Sequence, residues 1–131
     1  MNQNRSPSEP YDVVSSDHLV EWCISLTEYV IKYYRELKIS TPVLISCAIL
    51  NGRGYFLPKG FGGFGFPKVS IDRDLIVTPT IMVNEFEQDA KMIFKPIFDS
   101  IWNAFGRTHC SAYNQSTGEY TGFNNNNEVI L

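Results

Sequence analysis

Gly60-Phe61-Gly62-Gly63-Phe64-Gly65 has the G-x-G-x-x-G form. In dinucleotide-binding folds such a turn opens a helix whose N-terminal amides meet a pyrophosphate. That chemistry needs the turn to lead from a parallel strand into a helix. Here Phe66-Pro67-Lys68-Val69 follows, which reads as extended, and the strand before it is expected to be antiparallel. The context therefore argues against nucleotide binding. Phe61, Phe64 and Phe66 are hard to bury together in a small domain, so the segment reads instead as a hydrophobic contact loop bracketed by Pro58 and Pro67.

Asp72-Arg73-Asp74 places two carboxylates at i and i+2 of an extended segment, on one face. Such a pair could hold a metal or share acid and base duties. Arg73 stands between them, however, and no nearby histidine or cysteine completes a ligand set. The structural reading is that an aspartate accepts backbone or arginine hydrogen bonds where the next strand begins. His109 and Cys110 are adjacent, and neighbouring side chains of an extended segment point apart, which spoils them as a nucleophile and base. His18 falls near the start of a helix, where the dipole disfavours its charge. No catalytic residue and no metal ligand is expected, and no cofactor is implied. Trp102 reads as a core aromatic with its N–H satisfied locally. Tyr29, Tyr33 and Tyr34 lack enough interleaved basic residues for base stacking, so helix packing accounts for them.

Those residues must be positioned by elements that the apolar pattern outlines. Ser15 or Ser16 can cap a helix from about Asp17 to Leu37. Its expected buried stripe is Leu19, Cys23, Leu26, Val30 and Leu37, widened by Trp22, Tyr29 and Tyr33. Thr41-Pro42 hands over to an extended run. Val43 to Leu50 reads as a strand, Asn51-Gly52-Arg53-Gly54 as a tight hairpin turn, and Tyr55 to Leu57 as the start of the returning strand. Leu75 to Val83 is a third strand, where Pro79 predicts an edge position or a bulge. Asn84, with Glu87 three residues later, predicts a capped second helix. That helix buries Phe86, Ala90, Ile93, Ile97, Ile101 and Phe105, is kinked or split at Pro96, and is stopped by Gly106 in a left-handed conformation. Residues 107–123 show no periodicity. Residues 1–14 and the tail 124–131, with its four-asparagine tract, are expected to be disordered.

The predicted architecture is α+β: one domain over 15–123, with a small antiparallel β-meander and two long helices packed on one face. The second sheet face is left for solvent or for a partner. The 131 residues suffice for one core, and 44% hydrophobic content argues that the chain folds. A net charge of −3 and the absence of a basic stripe argue against phosphate-backbone binding as the main role. The three cysteines lack CxxC spacing. Cys23 and Cys47 read as small buried hydrophobes, and a reducing cytoplasm as the compartment. No apolar run approaches a membrane span.

One larger pattern runs through the second half of the chain. Ile71-Asp72-Arg73-Asp74 is followed by an apolar run to Val83 and then an acidic stretch. Next comes Pro96-Ile97-Phe98-Asp99-Ser100-Ile101-Trp102-Asn103-Ala104-Phe105-Gly106. The ending is Ser111-Ala112-Tyr113-Asn114 and Gly118-Glu119-Tyr120. This order resembles the C-terminal region of bacterial proteins that carry an N-terminal Schlafen-like (AlbA-2 type) DNA-binding domain, and the resemblance spans roughly Thr41 to Tyr120. It implies an accessory region: a non-enzymatic interaction or sensor module that contacts a protein partner or a second copy of itself. Nucleic acid would be reached only indirectly, through another domain.

Overall fold

The computed structural model describes residues 12–56 and 71–123. In chain order the described elements are β1 (Asp12–Val13), α1 (Ser16–Glu36), β2 (Val43–Ile45), β3 (Ala48–Leu50), β4 (Tyr55–Phe56), β5 (Leu75–Val77), β6 (Ile81–Val83) and α2 (Ala90–Ala104). The fold is α+β. Ser15 precedes α1 in an extended conformation, and its hydroxyl contacts Asp17 and His18 rather than a backbone amide. At the other end Lys38 takes a left-handed conformation (φ 57°). Two amides satisfy the last carbonyls there, Lys38 to Arg35 and Ile39 to Tyr34. The helix thus ends several residues before Pro42.

The three-residue strands β2, β3, β5 and β6 form two short antiparallel ladders in line, a ribbon interrupted between them. β2 pairs with β6, Val43 opposite Val83 and Ile45 opposite Ile81. β3 pairs with β5, Ala48 opposite Val77 and Leu50 opposite Leu75. Between the ladders Ser46 and Cys47 face Thr78, Pro79 and Thr80, so one extra residue bulges out at the proline. Pro79 has no N–H to offer a ladder, and the bulge spares it that duty. Thr78 closes the gap. Its amide and hydroxyl both donate to the Cys47 carbonyl, and its hydroxyl oxygen accepts from the Cys47 amide. The bulge also preserves the pleat. Val43, Ile45, Cys47 and Ile49 point inward, as do Ile76 and Thr78; Pro79 and Thr80 both point out, and Ile81 and Val83 point in again.

The expected hairpin pairing of Val43–Leu50 with Tyr55–Leu57 is not the one formed. Asn51 does adopt the left-handed conformation (φ 57°), but the Gly52 amide bonds to the Asp74 carbonyl and the Gly54 amide to that of Ile71. The segment around Asp72 takes the place a hairpin arm would fill, and β4 pairs in parallel with β1. A side chain at Gly52 would lie 3.1 Å from Ile49 and 3.3 Å from Ile71, so those side chains would have to give by a few tenths of an ångström.

α2 begins six residues later than Asn84. Its cap is Asp89, whose carboxylate accepts from the Lys91 amide. Asn84 and Glu85 instead donate their amides to the Gln88 side chain, forming a turn in front of the helix. Phe86 lies in that turn, half-buried and edge-on to Tyr34. The helix runs unbroken through Pro96, which lies on an exposed side one turn from exposed Met92, where water can take the carbonyl that the proline leaves without a partner. Gly106 (φ 78°) stops it, with the Gly106 amide bonded to Asn103 and the Arg107 amide to Trp102.

Ile93, Phe94, Ile97, Phe98, Ile101, Trp102 and Phe105 of α2 form the centre of one core with Val20, Ile24 and Ile31 of α1, and the ribbon's inner residues pack against it. The face that α1 buries differs from the expected stripe. It is Val20, Ile24, Thr27 and Ile31, whereas Leu26 is 64% exposed and Trp22, Tyr29, Tyr33 and Leu37 are exposed with it. Apolar residues cover most sides of this helix, so spacing alone does not select the buried one.

Residues 107–123 are also ordered against the core. Cys110, Ala112 and Tyr113 are fully buried. Tyr113 bridges to Tyr120, and the Asn114 side chain accepts from the Ser116 and Thr117 amides to form the turn between them. The Tyr113 hydroxyl donates to the Lys91 carbonyl, and Asp99 accepts from the Cys110 amide at 2.8 Å while pairing with Lys95 at 2.8 Å. The tail is thereby stapled to α2.

Candidate functional site

The outer face of the ribbon is its least conventional feature. A sheet with one solvated face alternates apolar inward and polar outward residues. Here the outward positions include Leu44, Ala48 and Leu50 on one strand and Leu75, Val77 and Met82 on the other, all exposed. Leu44 lies opposite Met82, Ala48 opposite Val77, and Leu50 opposite Leu75, so the apolar side chains are matched across the ladders. The remaining outward residues, Ser46, Pro79 and Thr80, are uncharged. Contiguous exposed apolar surface of this kind marks contact sites. The signal was present in the sequence: Val43–Leu50 and Leu75–Val83 are nearly continuous apolar runs, which is how a strand covered on both faces reads.

A second apolar surface follows α1. Leu19, Trp22, Cys23 and Leu26 line a groove on its first half, and Tyr29 and Tyr33 continue the row as a stacked pair with ring centroids 6.3 Å apart. The two tyrosines therefore face solvent and do not pack between helices as expected; only Tyr34 is half-buried.

The residues singled out for chemistry are dispersed. Asp72, Arg73 and Asp74 are all exposed. Arg73 pairs with the Asp72 carboxylate at 3.1 Å, which holds that carboxyl below its ordinary pKa. Arg53, which the sequence did not single out, donates to the Asp72 carbonyl at 2.7 Å and pairs with the Asp74 carboxylate at 3.4 Å. The motif thus fastens the 51–54 turn to the start of β5. His109 contacts the Thr108 hydroxyl through Nδ1, while Cys110 is buried with its amide on Asp99. Trp102 is buried and stacks on Phe123 at 6.5 Å, but its indole N–H has no partner among the described residues, contrary to the local bond expected. Gly106 acts as the helix stop. Gly60–Gly65 and the contact-loop residues Phe61, Phe64 and Phe66 lie outside the described residues. Among the described residues no group of three or more His, Cys, Asp or Glu is arranged to hold a metal ion.

Known proteins offer no match. No protein-family model, no curated protein and no solved structure is significantly similar to the chain. The site must be read from its own geometry.

Cys23 lies on α1 and Cys47 between β2 and β3. Both are half-buried rather than core residues, and neither is in a disulfide. The neighbouring Cys47 and burial push the Cys23 thiol above its ordinary pKa. Among the described residues no helix is long and apolar enough to cross a membrane.

Proposed function

We propose that this chain is a non-enzymatic protein-interaction module whose contact surface is the outer face of the β2–β6 and β3–β5 ribbon. A second copy of the chain is the occupant. The observation that carries the reading is the row of matched outward apolar pairs, Leu44 with Met82 and Leu50 with Leu75. The choice of occupant follows from charge. No outward position on the ribbon is charged, so two such faces meet without like-charge repulsion, and an apolar face is complementary to itself in a two-fold arrangement.

The reading is similar to the accessory role implied by the resemblance to the C-terminal region of Schlafen-like (AlbA-2 type) proteins. In that setting the contact would bring together neighbouring DNA-binding domains, and the cytoplasm would be the compartment. Nucleotide binding at Gly60–Gly65 is the competing reading, and no observation on the described fold favours it. Light scattering over a range of concentrations tests the proposal: a dimer supports it, and a monomer throughout overturns it.

A further inference from the structure

We propose that the outer side of α1 is a docking surface for a zwitterionic lipid bilayer, on which the helix lies with its axis in the plane of the headgroups. The site is independent of the interaction reading and uses a different surface from the ribbon face. Leu19, Trp22, Leu26, Tyr29 and Tyr33 recur every three or four residues, and Leu37 prolongs the row. At about 100° per residue these positions form one stripe along the 21-residue helix. The stripe lies across the helix from Val20, Ile24, Thr27 and Ile31, the residues that α1 buries, so it points away from the core. A flat surface can therefore meet it without disturbing the fold. Leu19 is half-buried and the other five are exposed, Trp22 at 77%.

Composition and charge both choose lipid as the occupant. Trp22, Tyr29 and Tyr33 make up half of the stripe. Trp and Tyr are the side chains of the membrane interface, where the ring sits against acyl chains and the N–H or O–H stays among the headgroups. On its polar edge the stripe adjoins His18, Ser25 and Lys32, none of them an acid, and the carboxylates of Glu21 and Glu28 stand one step further round the helix. His18 and Ser25 share one groove with Trp22 and Leu26. On the other edge Cys23 and Val30 are half-buried and apolar. Glu36 meets the stripe only at the last residue of the helix. Lipid phosphates at this edge would meet a cation and hydroxyl donors. The net charge of −3 works against a strongly anionic surface, so insertion of apolar side chains, not coulombic attraction, holds the helix in place.

The two tryptophans of the chain make the test direct, since Trp22 is exposed and Trp102 is buried. The full chain is titrated with phosphatidylcholine vesicles while tryptophan emission is followed, and the bound fraction is measured by sedimentation. The expected result is sedimentation with the vesicles, little altered by salt, and a blue shift of emission that Trp22→Phe removes. Leu26→Ser/Tyr29→Ser should melt cooperatively and should partition roughly a hundredfold more weakly. Leu44→Lys/Leu75→Lys should still sediment with vesicles, which separates this site from the ribbon face. A chain that stays in the supernatant overturns the proposal, and so does equal partitioning of the Leu26/Tyr29 variant. Binding confined to phosphatidylglycerol vesicles and reversed by salt overturns it as well, because charge and not the stripe would then be the cause. Self-association that Leu26→Ser/Tyr29→Ser abolishes, without vesicle binding, would give the stripe to a second copy and overturn it too.

Discussion

Leu44 and Met82 face each other across the β2–β6 ladder with their side chains turned away from the core, 66% and 55% exposed. Their neighbours Val43 and Val83 form the next pair and point inward, Val83 fully buried. The ribbon is therefore apolar on both sides, and only one side has helices behind it. That asymmetry is the basis of the proposed contact.

Substitutions that shorten side chains should separate the buried face of the helices from the exposed one. Ile101 is 1% exposed, so Ile101→Ala should cost about 2–5 kcal/mol. Leu26→Ala should stay within about 0.5 kcal/mol of the original chain, since little is lost from the core. Urea unfolding of the two variants at one concentration makes the comparison. A large loss for Leu26→Ala would mean that the outer side of α1 is covered.

Asp99 holds the tail to α2 through the Cys110 amide and the Lys95 ammonium. Asp99→Ala leaves a partly buried amide without its acceptor and should cost about 1–3 kcal/mol. Lys95→Met keeps that acceptor and should cost less. Equal losses in the two variants would place the stabilisation in the ion pair rather than in the tail contact.

Alkaline pH should destabilise the fold through Tyr113. Burial pushes its phenol above the ordinary value of 10.0, and burial raises Tyr120 as well. The unfolded chain ionises near pH 10 while the folded chain keeps its proton, so this contribution is fully present below pH 10 and is lost as pH rises above it. Melting temperatures measured between pH 8 and 11 should fall at the alkaline end, and Tyr113→Phe should fall less steeply. A variant with the same slope would remove Tyr113 from the account.

Duplex or single-stranded DNA should bind weakly or not at all at physiological salt. The chain carries a net charge of −3, and phosphate contacts need clustered cations. Fluorescence anisotropy with labelled DNA measures this, and a salt-dependent submicromolar affinity would contradict it.

Local signals in the sequence located the elements well. The bounds of α1 follow from its apolar span, the bulge from Pro79 and the end of α2 from Gly106, because each depends on backbone chemistry carried by one or two residues. What depends on distant partners was not legible. Trp22, Leu26 and Tyr29 share α1 with Val20 and Ile24, and only the approach of α2 decides which set is buried. Asn84 and Asp89 are both competent caps, and the turn through Gln88 selects the second. The burial of Cys110 and Tyr113 has no periodic signature, since it is fixed by contacts far along the chain. The apolar runs Val43–Leu50 and Leu75–Val83 mark strands that are apolar on both faces, but the sequence left the second face to solvent or to a partner.

The most direct measurement is multi-angle light scattering of the chain beside a Leu44→Lys/Leu75→Lys double variant, each over a hundredfold range of concentration. Both positions are exposed, so the variant should still fold and melt cooperatively. The account predicts a concentration-dependent dimer for the original and a monomer for the variant. A monomeric original chain, or a variant that dimerises equally well, would contradict the ribbon face as the contact surface.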